Sequence, residues 1–295
     1  MFTPFAFVKS EEVAIVYDPD AQNFFTATGI TNTGLRSAVN QLVLDLKSNS
    51  VWTPMDIIYP FVADNLGALS TQFSYNLKNT GSFQGTFSNP LTNSNFNGFS
   101  SSAVGVTHPT FNPNAIYMNV PYVPQTQRPF GPFHMSLYTT TDGNTGNVQD
   151  MGAYVNNSAL SILITGRFKS GANSNRALYV ASTNYAEAAG SPGNGYYIAR
   201  YDGSASPKGQ LVRQGINTLT ANQTTAGLAS ISIAIGGIRD NDNAARVVSY
   251  PDKQYQFATV GGNLTFVQME LLNGVVQTFQ SNVDAAMGTS RRVVV

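Results

Sequence analysis

The sequence predicts a mainly β protein, a sandwich of two antiparallel sheets with helices toward either end of the chain, and three observations predict it. Between about residues 69 and 262, short β-rich runs recur between clusters of Gly, Asn, Ser and Pro, as sandwich strands joined by turns do. Few of the intervening segments are long enough for the crossover helix that a parallel sheet requires. Clear helical periodicity is confined to stretches near the two termini.

Of the 295 residues, 42% are hydrophobic, enough to bury a sizeable core. With no cysteine, disulfides, thiolate metal ligation and cysteine nucleophiles are excluded. Charged residues make up 11%, with 16 basic balancing 16 acidic side chains, against about 25% in ordinary soluble domains. The surface must instead be dressed with Asn, Thr, Ser, Gln and Gly. Such a surface attracts neither phosphate backbones nor anionic lipid, so no nucleic-acid and no membrane partner is expected. No apolar run approaches the ~18 residues that span a bilayer, and residues 1–10 lack the basic start of a secretory signal.

In chain order, residues 1–17 read as an N-terminal arm with apolar runs at 5–8 and 13–17. Asp18 is placed to cap a first helix, with Pro19 at its first position, residues 21–28 as its body and Gly29 as its stop. A second helix, starting at 31–33 and ending at 48–50, carries Leu35, Ala38, Val39, Leu42 and Leu46 as one apolar stripe. Trp52 is assigned to the core, and 55–62 reads as an extended strand whose pairing Pro54 and Pro60 limit. Strands are expected at 72–77, 110–120, 134–141, 161–168, 176–181, 195–201, 210–213, 231–235 and 255–260. Residues 81–106, with little periodicity, read as hairpins or loops over the sandwich. A closing helix begins at the capping-box pair Thr265 and Gln268, with Phe266, Met269, Leu272, Val276, Phe279 and Val283 along one face. Gly274 inside it costs about 1 kcal/mol relative to Ala. The expected organisation is thus an arm over 1–17, a helical lead-in over 18–68, the sandwich with its closing helix over 69–283, and a tail over 284–295. Phe2, Phe5 and Phe7 in the arm and Val293, Val294 and Val295 in the tail are assigned to assembly, because free apolar ends need a partner to cover them.

Three stretches carry a family resemblance: Phe24-Phe25-Thr26-Ala27-Thr28-Gly29-Ile30-Thr31; Ala38-Val39-Asn40-Gln41-Leu42-Val43-Leu44-Asp45-Leu46-Lys47; and Trp52-Thr53-Pro54-Met55-Asp56-Ile57-Ile58-Tyr59-Pro60-Phe61-Val62. Together they resemble a helical lead-in recurrent in bacteriophage virion structural proteins, where it precedes a concanavalin- or laminin-G-like jelly roll. Gly195-Tyr196-Tyr197-Ile198-Ala199-Arg200 and Gln256-Phe257-Ala258-Thr259-Val260-Gly261 are similar to the later half of that pattern. The resemblance covers roughly residues 20–283. It implies a virion location and a jelly-roll sandwich, and it implies no ligand.

Catalytic chemistry is sparse. The two histidines are His108 and His134, and no Gly-x-Ser-x-Gly elbow surrounds any serine; each imidazole is read as a hydrogen-bonded surface or half-buried group. Asp150, Glu187, Asp202, Asp240, Asp242 and Asp252 are scattered, whereas a glycosidase needs two carboxylates facing each other across a cleft. Asp240 and Asp242 in 239–243 are spaced to ligate a hard cation, but the segment lacks the glycine and bidentate glutamate of an EF-hand loop, and a hairpin turn explains it better. The Gly-rich segment 190–195 lacks the Lys-Ser/Thr end of a phosphate-binding loop. Tyr196 should face one side of its strand and Tyr197 and Tyr201 the other, so at most one set is free to stack on sugars. No catalytic residue and no cofactor is assigned. The expectation is a non-enzymatic, homo-oligomeric virion subunit whose partners are other virion proteins; a lectin-like module for a host-surface glycan is the alternative, and a polysaccharide-degrading enzyme the weaker one.

Overall fold

The computed structural model describes residues 15–91, 99–100, 116–129, 131–140, 150–155, 162–170, 172–180, 186–189, 194–202, 209–213, 216–221, 228–240, 246–248 and 253–288. Helix α1 (Pro19–Thr28) starts where expected: the Asp18 carboxylate accepts from Asp20 N, Pro19 takes the first turn, and Gly29 ends it at φ 69°. Helix α2 (Thr33–Ser48) is capped by Asn32 and buries Leu35, Ala38, Val39, Leu42, Val43 and Leu46. Strand β1 (Met55–Tyr59) follows, bounded by Pro54 and Pro60.

The expected strand at 72–77 is instead helix α3 (Leu69–Ser74) followed by an extended segment. Leu69 and Phe73, one turn apart, enter the core together. Gln72 satisfies three groups from the helical position: its amide donates to Thr28 O at 3.2 Å and Asp64 Oδ1 at 3.0 Å, and its Oε1 accepts from Asp64 N at 3.2 Å. Tertiary hydrogen bonds therefore override the alternating pattern. Only the end of the run lies beside β1, where Leu77 N donates to Ile58 O and Asn76 Oδ1 accepts from Ile58 N.

The remaining elements are β2 (Thr86–Phe87), β3 (Phe99–Ser100), β4 (Met118–Val120), the single turn α4 (Pro124–Gln127), β5 (Phe133–Thr139), β6 (Met151–Tyr154), β7 (Ile162–Ser170), β8 (Ala172–Val180), β9 (Ala186–Ala189), β10 (Gly195–Tyr201), β11 (Gly209–Arg213), β12 (Ile216–Ala221), β13 (Ile233–Ile235), β14 (Gly237–Asp240), β15 (Arg246–Val248), β16 (Gln254–Gly261) and α5 (Phe266–Met287). One sheet runs β1-β16-β5-β10-β11-β12, with β3 against the start of β16; the other runs β2-β4-β13-β6-β7-β8-β9, with β14 beside β6 and β15 beside β14. The fold is the mainly β, two-sheet jelly-roll sandwich that the sequence predicts, with two departures. The pair β14–β6 is parallel. The lead-in is no separate unit, since β1 is hydrogen-bonded to β16 within the first sheet.

Alternation along β5 and β10 shows how the layers stack. Phe133, Met135, Leu137, Tyr197, Ala199 and Tyr201 lie in the core between the sheets, while Tyr138, Tyr196 and Ile198 lie in a second core under α1, α2 and α5. The first sheet is therefore covered on both faces. Helix α5 has the predicted Thr265–Gln268 capping box, but it runs through 284–287 to a Gly288 cap at φ 62° and buries Asp284, so the tail expected from 284 begins after the helix. Gly34 lets α2 close on α5: a Cβ there would lie 2.8 Å from Ala286 Cβ. Among the described residues no helix is long and apolar enough to cross a membrane.

Candidate functional site

Three polar clusters and two open grooves divide the chemistry of the described residues. The first cluster surrounds His134 on the helix-facing side of β5. His134 is fully buried rather than at the surface or half-buried, because Gly261 and Gly262 bring the end of β16 directly over the ring; a Cβ on Gly261 would overlap Pro54 O and lie 2.8 Å from His134 Cε1. Burial pushes its pKa down to about 4, against the opposing bond to Gly262 O, so the ring is neutral at pH 7. Nδ1 then donates to Gly262 O at 2.6 Å, and Nε2 accepts from Thr259 Oγ1 at 3.3 Å. Thr259 Oγ1 lies 2.6 Å from Ser136 Oγ, which accepts from Tyr196 OH at 2.8 Å. Every hydroxyl proton in this relay points toward His134. Among the described residues no carboxylate is hydrogen-bonded to the ring, and all four side chains are buried.

The second cluster is Asp150, which receives Lys253 Nζ at 3.1 Å and Tyr255 OH at 2.9 Å in the interior. Lys253 and Asp150 are 0% and 1% exposed. The third stands at the rim of the sandwich, where Arg128 grips Asp56 through Nε at 3.1 Å and Nη2 at 2.7 Å, and Tyr122 OH donates to the same carboxylate at 2.8 Å. Burial and the Asp56 carboxylate both hold the Tyr122 phenol well above its ordinary range. Trp52, assigned to the core, packs against the core under the helices from its border: it is half-buried, with Lys78 Nζ 4.4 Å and Lys47 Nζ 5.2 Å from its ring centre, and Lys47 is itself paired with Asp18 and Asp20.

Tyr196, Tyr197 and Tyr201 are all buried; no set of them faces outward, since helices cover one face of the first sheet and the second sheet covers the other. Asp150 is neutralised by Lys253, and Asp202 lies 3.3 Å from Arg200. Asp240 ends β14, which pairs antiparallel with β15 in the register Asp240↔Arg246. Asp242, Asp252, His108, the arm residues Phe2, Phe5 and Phe7 and the tail residues Val293, Val294 and Val295 lie outside the described residues. Among the described residues no three His, Asp or Glu side chains converge as a metal site.

The two grooves were not legible in the sequence. One, of about 480 Å³, lies between α3 and β2 at an edge of the second sheet, and its lining is uncharged among the described residues. Ser70, Thr71 and Thr86 offer hydroxyls, Gln84 and Asn89 offer amides, and Phe87 and Pro90 offer apolar surface. Its floor is set by Gly85, whose Cβ would lie 2.5 Å from Met118 Sδ; Gly85 N donates to Ser74 O at 2.8 Å, and Gln84 Nε2 to Ser74 Oγ at 3.2 Å. The other groove, of about 490 Å³, lies between the antiparallel helices α2 and α5, with Val267, Leu271 and Val275 beside Asp45 and Glu270.

No family model and no curated protein matches the chain. The likenesses are to solved structures. Domain 4 of AbnA, an extracellular arabinanase of Geobacillus stearothermophilus solved with arabinotriose, is 14% identical over 74% of this chain and 98% of its own, at a TM-score of 0.44. The binding domain of botulinum neurotoxin serotype D/C is 12% identical over 77% of this chain and 53% of its own, at 0.48. A Trypanosoma rangeli sialidase mutant displaying trans-sialidase activity is 12% identical over 84% of this chain and 39% of its own, at 0.44. The chain thus spans about half or less of the last two. At such identities the likeness concerns the sandwich alone.

Proposed function

We propose that the chain is a non-catalytic recognition module that binds a neutral glycan in the groove between α3 and β2, and that it does so as part of a bacteriophage particle. The observation that carries the ligand class is the lining of that groove. Hydroxyls and amides exchange hydrogen bonds with sugar hydroxyls, while Phe87 and Pro90 supply the apolar surface on which a pyranose face can rest. Because the lining is uncharged, an anionic sugar would find no counter-ion there. Catalysis finds no support in the clusters: His134 is sealed under Gly261 and Gly262, and Asp150 is held by Lys253. The particle location rests on the resemblance of residues 20–283 to virion proteins.

An array of neutral and acidic oligosaccharides, followed by calorimetric titration of the best ligand, tests the reading. Binding of a neutral oligosaccharide, lost at least about tenfold in Thr86→Trp and Ser70→Trp, is expected, since both positions are exposed and the indole fills the groove. No neutral ligand, or a ligand indifferent to both substitutions, would overturn the assignment; release of reducing ends would overturn its non-catalytic part. Mass spectrometry of purified particles tests the location.

A further inference from the structure

We propose that the groove between α2 and α5 is a self-assembly site, and that its occupant is segment 289–295 of a second copy of this chain. The groove has the character of an unfilled interface. Val267 and Leu271 on its wall are 61% and 38% exposed, large side chains that a helix ordinarily turns inward. Glu270 beside them is exposed and makes no ion pair among the described residues. Gly274 lies in the groove in mid-helix, and nothing stands within 4 Å of where its Cβ would be. A glycine there destabilises the helix relative to alanine, and no packing among the described residues requires it; the space it leaves admits the backbone of another segment.

Chemical complementarity identifies that segment. Residues 291–295 read Arg-Arg-Val-Val-Val, two fixed cations followed by three small apolar side chains, and the groove offers the carboxylates of Asp45 and Glu270 beside the apolar surface of Val267, Leu271 and Val275. Arginine suits this role because its planar guanidinium pairs with a carboxylate through two hydrogen bonds.

Reach decides between the chain's own segment and a neighbour's. Glu270 lies 18 helical positions before Gly288, about 27 Å at 1.5 Å per residue. Arg292, four residues beyond Gly288, is carried at most about 14 Å by an extended chain. Even with its side chain extended, it falls short of Glu270 in its own subunit. Asp45 lies about 17 Å along α2 from Gly34, which packs on Ala286, and is within reach of the chain's own Arg292, so Glu270 is the discriminating contact: only a second copy can engage both carboxylates at once, and that contact is heterologous, with the groove of one subunit and the segment of the next. Such contacts repeat into rings or open chains.

The test uses the full chain in two complementary forms, one carrying Arg291→Glu and Arg292→Glu, the other Glu270→Arg. Sedimentation should show concentration-dependent association of the parent and a loss of about tenfold or more in each variant alone, as like charges face each other. Mixed, the two variants should associate again, because the intact groove of one meets the intact segment of the other and the exchanged charges at the remaining contact also attract. Gly274→Ala should raise the melting temperature of the subunit while weakening association. A parent that stays monomeric, variants that associate as the parent does, or a mixture that does not associate would each overturn the proposal.

Discussion

The two interiors of the molecule treat polar groups in opposite ways. Under the helices, the side chains of His134, Thr259, Ser136 and Tyr196 form an uncharged relay. On the Asp150 side the interior holds a full ion pair with Lys253. An uncharged relay costs little to bury while its protons are ordered, but it fails when one proton is added. A buried pair carries the larger desolvation penalty and fails when one member is removed. The same sandwich is therefore sensitive to acid on one face of its first sheet and to single substitutions at its buried pair.

The largest effect should come from Lys253. Replacing it by Met leaves the Asp150 carboxylate buried without its cation, and breaking such pairs costs about 3–5 kcal/mol. Denaturant unfolding of Lys253→Met measures this directly. The double variant Lys253→Met, Asp150→Leu should recover most of the loss, because it removes both charges. A Lys253→Met protein as stable as the parent would show that the ion pair contributes no net constraint, and the contrast between the two interiors would disappear.

The relay should respond to pH with a smaller effect. Protonating His134 turns Nε2 into a donor, so the Thr259 hydroxyl loses its acceptor and one hydroxyl proton is left aimed at no acceptor within the relay. The folded-state pKa of about 4 lies below the ordinary histidine value of 6.5, so the unfolded chain binds the proton first. Stability is complete above pH 6.5, declines as pH falls below it, and is lost in full below about pH 4, a total of about 3 kcal/mol. Asp18 and Asp64, whose hydrogen-bonded carboxylates sit below their ordinary value of 3.8, lose their contribution only at still lower pH. Among the described residues the slope between pH 6.5 and 4 is thus assigned to His134, and His134→Gln should flatten it. An unchanged slope in that variant would assign the acid response elsewhere.

Helices α1, α2 and α5 were legible because their signals are local, whereas α3, held by tertiary hydrogen bonds of Gln72, was read as a strand. The caps Asp18, Gly29, Thr265 and Gln268 and the stripe of α2 all lie within a few residues of what they determine. Strands β5, β10, β11 and β16 were legible from apolar alternation. Strand β9 was not, since Ala186-Glu187-Ala188-Ala189 favours a helix and becomes a strand only through its ladder with β8. Buried chemistry was the least legible. Asp150 and Lys253 are 103 residues apart, and His134 and Gly262 are 128 apart; no sequence spacing announces either contact. The grooves share this property, because each is lined from segments that only the fold brings together.

The smallest effect sharpens the comparison most, because Arg128 and Asp56 stand where the two interiors meet. Tyr122, which donates to Asp56, belongs to the core between the sheets. Gly262, whose carbonyl accepts from His134, lies against the Arg128 guanidinium, which would be 3.2 Å from a Cβ at that position. The side chains of Arg128 and Asp56 are 34% and 24% exposed, so solvent screens their attraction and Arg128→Met should cost only about 0–1 kcal/mol at pH 7. Its effect on the relay has a definite sign. Burial dominates the low pKa of His134, the Asp56 charge raises it and the Arg128 charge lowers it. Removing Arg128 leaves Asp56 acting alone, so the folded-state pKa rises toward 6.5 and less stability is lost on acidification. The expected result is a slightly less stable protein at pH 7 with a shallower decline between pH 6.5 and 4, read from unfolding curves at several pH values and from the titration of the His134 ring by NMR. If the rim pair carried no electrostatic coupling to the relay, Arg128→Met would shift the curves equally at every pH and leave the ring titration where it was.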